Sequence, residues 1–325
     1  MNPHILIIGS GSAGKRHARN LAGLGCKISA FDPREDRLKE INEETPCIHQ
    51  SQSLEEILEK ETFDGAVIAS PPVFHIEQGI ALLGKGIPVL MEKPLAAELD
   101  DAQKIESYTQ ATILLGYTYR WWPPLQEMKK LLDENAIGKV QNIRMVMSAH
   151  LADWHPWEKY QDFFMAQAEL GGGALLDESH FIDLLLWMFG MPKSVFANVE
   201  KIGELEISTD DNVDLIARYE KGLRANVHLD LLGRPHEKYI HIVGGKGSLH
   251  WSFDPNELVV TQDEKSETKK YNHERNDMFI GVAEEFLQCI NENKQPSCTI
   301  TDGINVLQVI EAARKSSETN KEISI

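Results

Sequence analysis

The chain has 325 residues, with 33 Lys+Arg against 50 Asp+Glu, a formal net charge of −17 and 42% hydrophobic residues. That is globular composition, and the length favours two domains. The acidic balance argues against broad nucleic-acid binding, which runs on basic side chains neutralising phosphates, and against docking on anionic lipid. The four cysteines form no C-x-x-C and no metal-ligand spacing. A reduced, cytoplasmic protein without a metal site is expected. No apolar run of about 18 residues and no signal-peptide pattern is found, so no membrane association is expected.

The first 120 residues alternate strand and helix signals. Ile5–Ile8 is a short apolar run ending in glycines, and Ala13–Leu24 follows with helical spacing. Lys27–Phe31 reads as a strand ending at Asp32-Pro33, Arg34–Asn42 as a helix, and Ser53–Glu56 as a capping box. Strand signals at Gly65–Ala69, Pro88–Met91 and Ala111–Gly116 enclose helices at Phe74–Leu83 and Leu99–Tyr108. This β-α-β repetition predicts an α/β domain over 1–120 with a doubly wound parallel sheet.

A second domain is predicted over 121–325. A helix carries Leu125, Met128 and Leu132, and Val140–Ala149 alternates as a half-buried strand. One helix is read over Ala174–Phe189, then β structure from Ser194 to Val260, with hairpin turns at Lys221-Gly222 and Gly244–Ser248. Thr261–Tyr271 reads as an exposed turn or loop, and helices return at Phe279–Ile290 and Gly303–Ala313. The one-sided alternation predicts a large, mostly antiparallel open sheet with helices on one face. A partner subunit is one candidate for the other face.

Gly9-Ser10-Gly11-Ser12-Ala13-Gly14 is G-x-G-x-x-G, placed after a strand and opening a helix. Such a loop lets backbone N–H groups approach a pyrophosphate at a helix N-terminus. The alternative is a glycine-rich turn without a ligand. Asp32, eighteen residues past Gly14, suits the ribose hydroxyls of NAD and repels the 2′-phosphate of NADP. Arg34 would instead pair with that phosphate, so NADP is the less favoured cofactor. Asp32 also fits a turn before Pro33. Ser70, Pro71 and His75 close the next strand and could line the dinucleotide; His75 equally suits a surface position at a helix start.

Met91-Glu92-Lys93-Pro94 follows another apolar strand, which puts Lys93 on the edge where ligands bind in such sheets. A lysine there can stabilise a developing alkoxide. By spacing alone it reads as a surface residue before a helix-initiating proline. Asp177, His180 and Asp183 lie three apart on the predicted helix. A histidine flanked by carboxylates suits acid/base work near neutral pH, and a satisfied core histidine fits equally well. Tyr117–Pro124 suits a junction whose Trp122 stacks on a ring while Arg120 reaches a polar substrate.

Taken in order, Gly9–Gly14, Ser70–His75, Glu92-Lys93-Pro94 and Gly171–Asp183 resemble the Gfo/Idh/MocA oxidoreductases, the glucose–fructose oxidoreductase and inositol dehydrogenase group, over essentially the whole chain. The resemblance implies an N-terminal Rossmann domain and a C-terminal α/β domain whose sheet mediates homodimers or homotetramers. It implies reversible hydride transfer between a nicotinamide and a carbinol carbon of a sugar, amino sugar, nucleotide sugar or cyclitol. Glu92 and Lys93 would lie against the cofactor. Lys93 matches the lysine that contacts the reacting hydroxyl, His180 the proposed acid/base, and Asp177 the aspartate before it. Many members place that aspartate four residues before the histidine; here the spacing is three. The run His150–Tyr160 resembles a branch associated with surface-sugar genes, which makes His155 and Trp157 candidate substrate contacts, with loop packing the alternative. Two other functions fit the same motifs: a dinucleotide-binding sensor, and an enzyme that recycles a tightly bound NAD.

Overall fold

A computed structural model describes residues 2–108, 111–154, 158–263 and 265–325. The chain divides into two compact units, Met1–Thr118 with Arg275–Ile304, and Tyr119–Glu274 with Asn305–Ile325.

The first unit is built on six parallel strands: β1 (His4–Ile8), β2 (Lys27–Phe31), β3 (Gln50–Ser51), β4 (Gly65–Ile68), β5 (Val89–Met91) and β6 (Ile113–Leu115). Their order is β3-β2-β1-β4-β5-β6, the Rossmann order, with the direction of winding reversing between β1 and β4. The strands are short and apolar because helices cover both faces, and β1, β4, β5 and β6 are buried almost throughout. The crossovers are α1 (Ser12–Gly23), α2 (Glu35–Glu44), α3 (Leu54–Lys60), α4 (His75–Leu83) and α5 (Leu99–Gln103). Only half of the capping box forms: Ser53 Oγ accepts from the Glu56 N–H at 3.2 Å, while the Ser53 N–H donates to Ser51 Oγ at 3.0 Å and the Glu56 carboxylate pairs with Lys60. The helix expected over Leu99–Tyr108 stops at Gln103 and gives way to a 3₁₀ turn at Glu106–Tyr108.

The second unit opens with α6 (Pro123–Asp133) and β7 (Val140–Ser148), followed by α7 (Ala174–Asp177) and α8 (His180–Phe189). Then come β8 (Ser194–Glu200), β9 (Asn212–Arg218), β10 (Arg224–Asp230), β11 (Glu237–Gly244), β12 (Gly247–Ser252), β13 (Glu257–Gln262) and β14 (Lys265–Lys270). The polar stretch expected as a loop therefore forms an edge strand, β14, with every residue exposed. Its lysines and glutamate suit an edge that must not recruit further strands. The chain continues through α9 (Arg275–Glu292) and α10 (Ile300–Thr319) to β15 (Ile323–Ser324). The nine-stranded sheet runs β14-β13-β12-β11-β7-β10-β9-β8-β15, and only the β7–β10 pair is parallel. Its buried face carries Ile143, Met145 and Met147 from β7, Val213 and Leu215 from β9, and Ile240 and Ile242 from β11.

One part of the expected domain division differs. The sequence reading assigns 121–325 to the second domain, yet Arg275–Ile304 packs with the first unit. α9 lies along α1: Asn20 and Asn276 exchange side-chain amide hydrogen bonds at 3.2 and 2.9 Å, and the Arg16 guanidinium sits 4.4 Å over the Phe279 ring. Farther along, Phe286 and Ile290 fill the space beside Gly65. An apolar helix stripe specifies burial without naming the surface that buries it.

Candidate active site

In the first unit the parallel strands bring the ends of β1, β2, β4 and β5 to one edge of the sheet. β1 runs into Gly9, whose φ of +89° suits glycine and whose N–H donates to the Phe31 carbonyl at 2.9 Å. A Cβ on Gly9 would lie 2.6 Å from the Ser70 nitrogen, and one on Gly14 only 1.9 Å from the Gly9 oxygen. A Cβ on Gly11 would meet nothing within 4 Å. The first and third glycines are thus required by the protein's own backbone. The middle one opens onto free space at the start of α1, where a pyrophosphate could meet backbone N–H groups. Within the same loop Ser10 Oγ is buried without a protein hydrogen-bond partner, Ala13 is half-buried and Ser12 is exposed.

Asp32, at the end of β2, is 8% exposed and accepts from the Ser10 N–H at 2.7 Å and the Arg34 N–H at 2.9 Å. Each oxygen keeps a lone pair for a ribose hydroxyl. Arg34 is exposed, but Asp36 holds its guanidinium through Nε at 3.1 Å and Nη2 at 2.5 Å. Two carboxylates around an occupied guanidinium make poor company for a 2′-phosphate. The donor set fits NAD.

Ser70 and Pro71 sit half-buried after β4, and Ser70 Oγ donates to Gln78 at 2.6 Å. His75 corrects both alternatives raised for it, since it is 0% exposed and neither lines a ligand site nor lies on the surface. Its Nδ1 faces the Pro94 carbonyl and its Nε2 the Ser70 carbonyl, each at 2.8 Å, so it ties the loop after β4 to the loop after β5. Burial pushes the His75 pKa down.

Glu92 turns inward, where the His17 ring on α1 bonds its Oε1 at 2.7 Å. Burial would raise the Glu92 carboxyl, but this hydrogen bond and the neighbouring Lys93 charge hold it below the ordinary glutamate value. Its carboxylate is thus committed to the scaffold, its other oxygen 3.3 Å from the Lys93 N–H. Lys93 itself is half-buried at the strand end, between two anchored neighbours. His17 is the residue that sequence reasoning missed. Its signal was a polar side chain in the apolar stripe Gly14, His17, Ala18, Leu21.

In the second unit Asp177 and His180 fall on two helices. α7 ends at Asp177, Glu178 leaves helical geometry at φ −89°, ψ 16°, and α8 begins at His180. The shared helix face inferred from their spacing therefore does not exist. Asp177 is buried, while His180 is half-buried with its ring edge-on to Tyr119 at 5.2 Å. The glycines before α7 serve close packing, as a Cβ on Gly172 would lie 2.4 Å from the Phe164 oxygen.

Arg120 and Trp122 are also corrected. The Arg120 side chain is 5% exposed and Asp183 1%, joined by two parallel bonds, Nε to Oδ2 at 2.9 Å and Nη2 to Oδ1 at 2.6 Å. A permanently charged guanidinium taken out of water needs such a partner, so this pair is structural. Both Asp183 oxygens accept from Arg120. Trp122 is 1% exposed and stacks on Phe253 at 5.9 Å, so it offers no free face to a substrate. His155 and Trp157 lie outside the described residues.

Residues 4–112 match the family model described as oxidoreductase family, NAD-binding Rossmann fold, and residues 125–250 match that of the GFO/IDH/MocA C-terminal domain. The chain belongs to the GFO/IDH/MocA oxidoreductases. A myo-inositol 2-dehydrogenase of Thermotoga maritima is 25% identical, over 98% of this chain and 97% of its own length. An NADP(+)-dependent scyllo-inositol 2-dehydrogenase of Bacillus subtilis is also 25% identical, over 89% and 86%. Among solved structures, a levoglucosan dehydrogenase complexed with NADH and levoglucosan shares the fold with a TM-score of 0.89 at 19% identity, each chain covered in full. The family fits the first unit's cofactor edge and the second unit's mostly antiparallel sheet. Among the described residues no helix is long and apolar enough to cross a membrane.

Proposed function

We propose that this member of the family is an NAD-dependent dehydrogenase or reductase acting on a carbinol carbon of a sugar, amino sugar, nucleotide sugar or cyclitol. The observation that carries the reading is Lys93, held on the same sheet edge as the Gly9–Gly14 loop and Asp32. The two inositol dehydrogenases similar in sequence support a ring alcohol as substrate class.

When bound, the dinucleotide would accept a hydride in oxidation and supply one in reduction. The Gly9–Gly14 backbone and the α1 N-terminus would hold its phosphates, and Asp32 its adenosine ribose. Lys93 donates a hydrogen bond to the reacting oxygen and stabilises its charge as the O–H bond weakens. His180 takes the hydroxyl proton in oxidation and returns it in reduction, and Asp177 is the carboxylate three residues before it in the chain. The carbon loses a hydride and the oxygen a proton, leaving a carbonyl.

Nicotinamide absorbance, followed with NAD⁺ and a panel of sugars, inositols, amino sugars and nucleotide sugars, tests this reading. Wild type should show a rise that Lys93→Ala lowers by about 10²–10⁴-fold, with NADH affinity retained. Equal loss of turnover and NADH binding would remove Lys93 from the chemistry. The half-exposed sheet face bearing Val146, Tyr239 and Val243 supports a homodimer or homotetramer, to be read by light scattering. The free cysteines support a cytoplasmic location, to be read by cell fractionation.

A further inference from the structure

β11 breaks its own alternation at Lys238. Ile240 and Ile242 on that strand are fully buried on the helix-covered face of the sheet. Lys238 is in phase with them, and its register partner on β7 is Met147, buried on the same face. A period of two reserves that position for an apolar side chain, and lysine is among the residues least often placed there.

The surroundings do not neutralise the charge. Lys238 is half-buried; its Nζ donates to the Tyr119 phenol oxygen at 3.0 Å and lies 5.6 Å from the Tyr119 ring centroid and 5.2 Å from that of Phe253. Ring faces attract a cation but carry no countercharge. Among the described residues no carboxylate pairs with it. The contrast within the same unit is Arg120, whose guanidinium Asp183 matches with two bonds. An ammonium has three N–H donors, and the phenol takes one.

The position of this cation decides what it could serve. The Tyr119 ring that receives Lys238 is the same ring that meets the edge of His180 at 5.2 Å. Phe253, the other ring beneath the ammonium, is half-buried, with Trp122 stacked on it at 5.9 Å and His236 at 6.4 Å. One aromatic side chain therefore separates the proposed acid/base from a cation with two unspent donors, and a second ring flanks that cation.

We propose that Lys238 receives a carboxylate carried by the substrate, which makes the substrate a sugar acid or a nucleotide-linked sugar acid. A single ammonium matches the single charge of a carboxylate. A phosphate would call for a guanidinium fork or a helix N-terminus, and the guanidinium of Arg120 is already taken. This inference rests on the reading of the protein as a sugar oxidoreductase, and it narrows the substrate class within that reading.

The test is calorimetric titration of wild type, Lys238→Met and Lys238→Arg, with and without NADH, using matched acid and neutral ligands. The pairs are D-glucuronate with D-glucose, D-galacturonate with D-galactose, and UDP-N-acetylglucosaminuronate with UDP-N-acetylglucosamine. In wild type at least one acid should bind about tenfold or more tighter than its neutral partner. Lys238→Met should bring that ratio to about one while leaving neutral-sugar affinity unchanged, and Lys238→Arg should keep part of it. Methionine suits an apolar face, so Lys238→Met should hold or raise the melting temperature, whereas loss of an ordinary structural lysine would lower it. Equal binding of acid and neutral partners, a preference that survives in Lys238→Met, or no binding of any acid would overturn the proposal. Oxidation of a neutral sugar with no acid preference would remove this inference and leave the oxidoreductase reading intact. An acid preference without NADH binding would leave the Lys238 carboxylate contact standing and count against the NAD-dependent reading on which its place in the substrate class rests.

Discussion

Arg120→Met separates two incompatible roles for one residue. As a substrate contact, Arg120 would be dispensable for folding and costly for catalysis. As the partner of Asp183 it is the opposite. The two side chains are 5% and 1% exposed, joined by hydrogen bonds of 2.9 and 2.6 Å. Removing the guanidinium leaves the Asp183 carboxylate buried without that partner, a loss of about 3–5 kcal/mol. At about 2–4 °C per kcal/mol for a unit of this size, the melting temperature should fall by roughly 6–20 °C. Differential scanning calorimetry of wild type, Arg120→Met, Asp183→Leu and the double variant is the assay. Each single change should destabilise, and the double variant should recover much of the loss, because a buried ion pair can be exchanged for apolar side chains at little net cost. A melting temperature within about 2 °C of wild type for Arg120→Met, together with a large fall in kcat/KM, would refute the structural role.

Three further predictions concern the cofactor edge and the sheet. Gly11→Ala should fold like wild type, since its methyl meets nothing within 4 Å, yet lose NADH binding; Gly14→Ala, with its Cβ 1.9 Å from the Gly9 oxygen, should be destabilised before any cofactor is added. Thermal melts paired with NADH fluorescence titration read both. His17→Leu removes the donor that keeps the buried Glu92 ionised, at a cost on the order of 3 kcal/mol at neutral pH. Because the folded Glu92 pKa is depressed, its contribution is present above the unfolded value and lost as pH falls through the folded one. The gap in melting temperature between wild type and His17→Leu should therefore narrow as pH falls below about 4, and His17→Gln, which keeps an N–H donor, should close part of it. On β10, His228 is bonded by Asp230 at 2.9 Å and Asp214 at 2.8 Å, and these carboxylates raise its pKa to about 9. A raised pKa gives stability that is full below about 6.5 and lost as pH rises through 9. The melting temperatures of wild type and His228→Gln should converge across that window, and a constant gap would show that His228 acts through packing alone.

The first unit was legible to a good depth. Period and punctuation marked each strand of its sheet except β3, a two-residue edge strand, and G-x-G-x-x-G after β1 located the tight glycine turn into α1. Asp32 was expected at the end of β2 and lies there, bonded by the Ser10 and Arg34 N–H groups. These are local properties, fixed by residues close together in the chain.

The pairing of side chains distant in sequence was not legible. His17 reaches Glu92 across 75 positions, Arg120 reaches Asp183 across 63, and Lys238 reaches Tyr119 across 119. His75, Arg120 and Trp122 looked like ligand contacts because polar and aromatic residues beside a binding edge usually are, and each proved to be packed or bonded within the protein. The three-residue spacing of Asp177 and His180 predicted a common helix face, and the helix break at Glu178 removed it.

By itself the sequence determined the parallel sheet of the first unit, its strand edge, the glycine turn into α1 and the alternating faces of the second sheet, because backbone periodicity and turn chemistry act over a few residues. Only the tertiary structure decided which charges are paired inside the protein and with which partners. That outcome depends on which side chains are brought within about 3 Å of each other once water is excluded, and no short-range pattern in the chain encodes that distance.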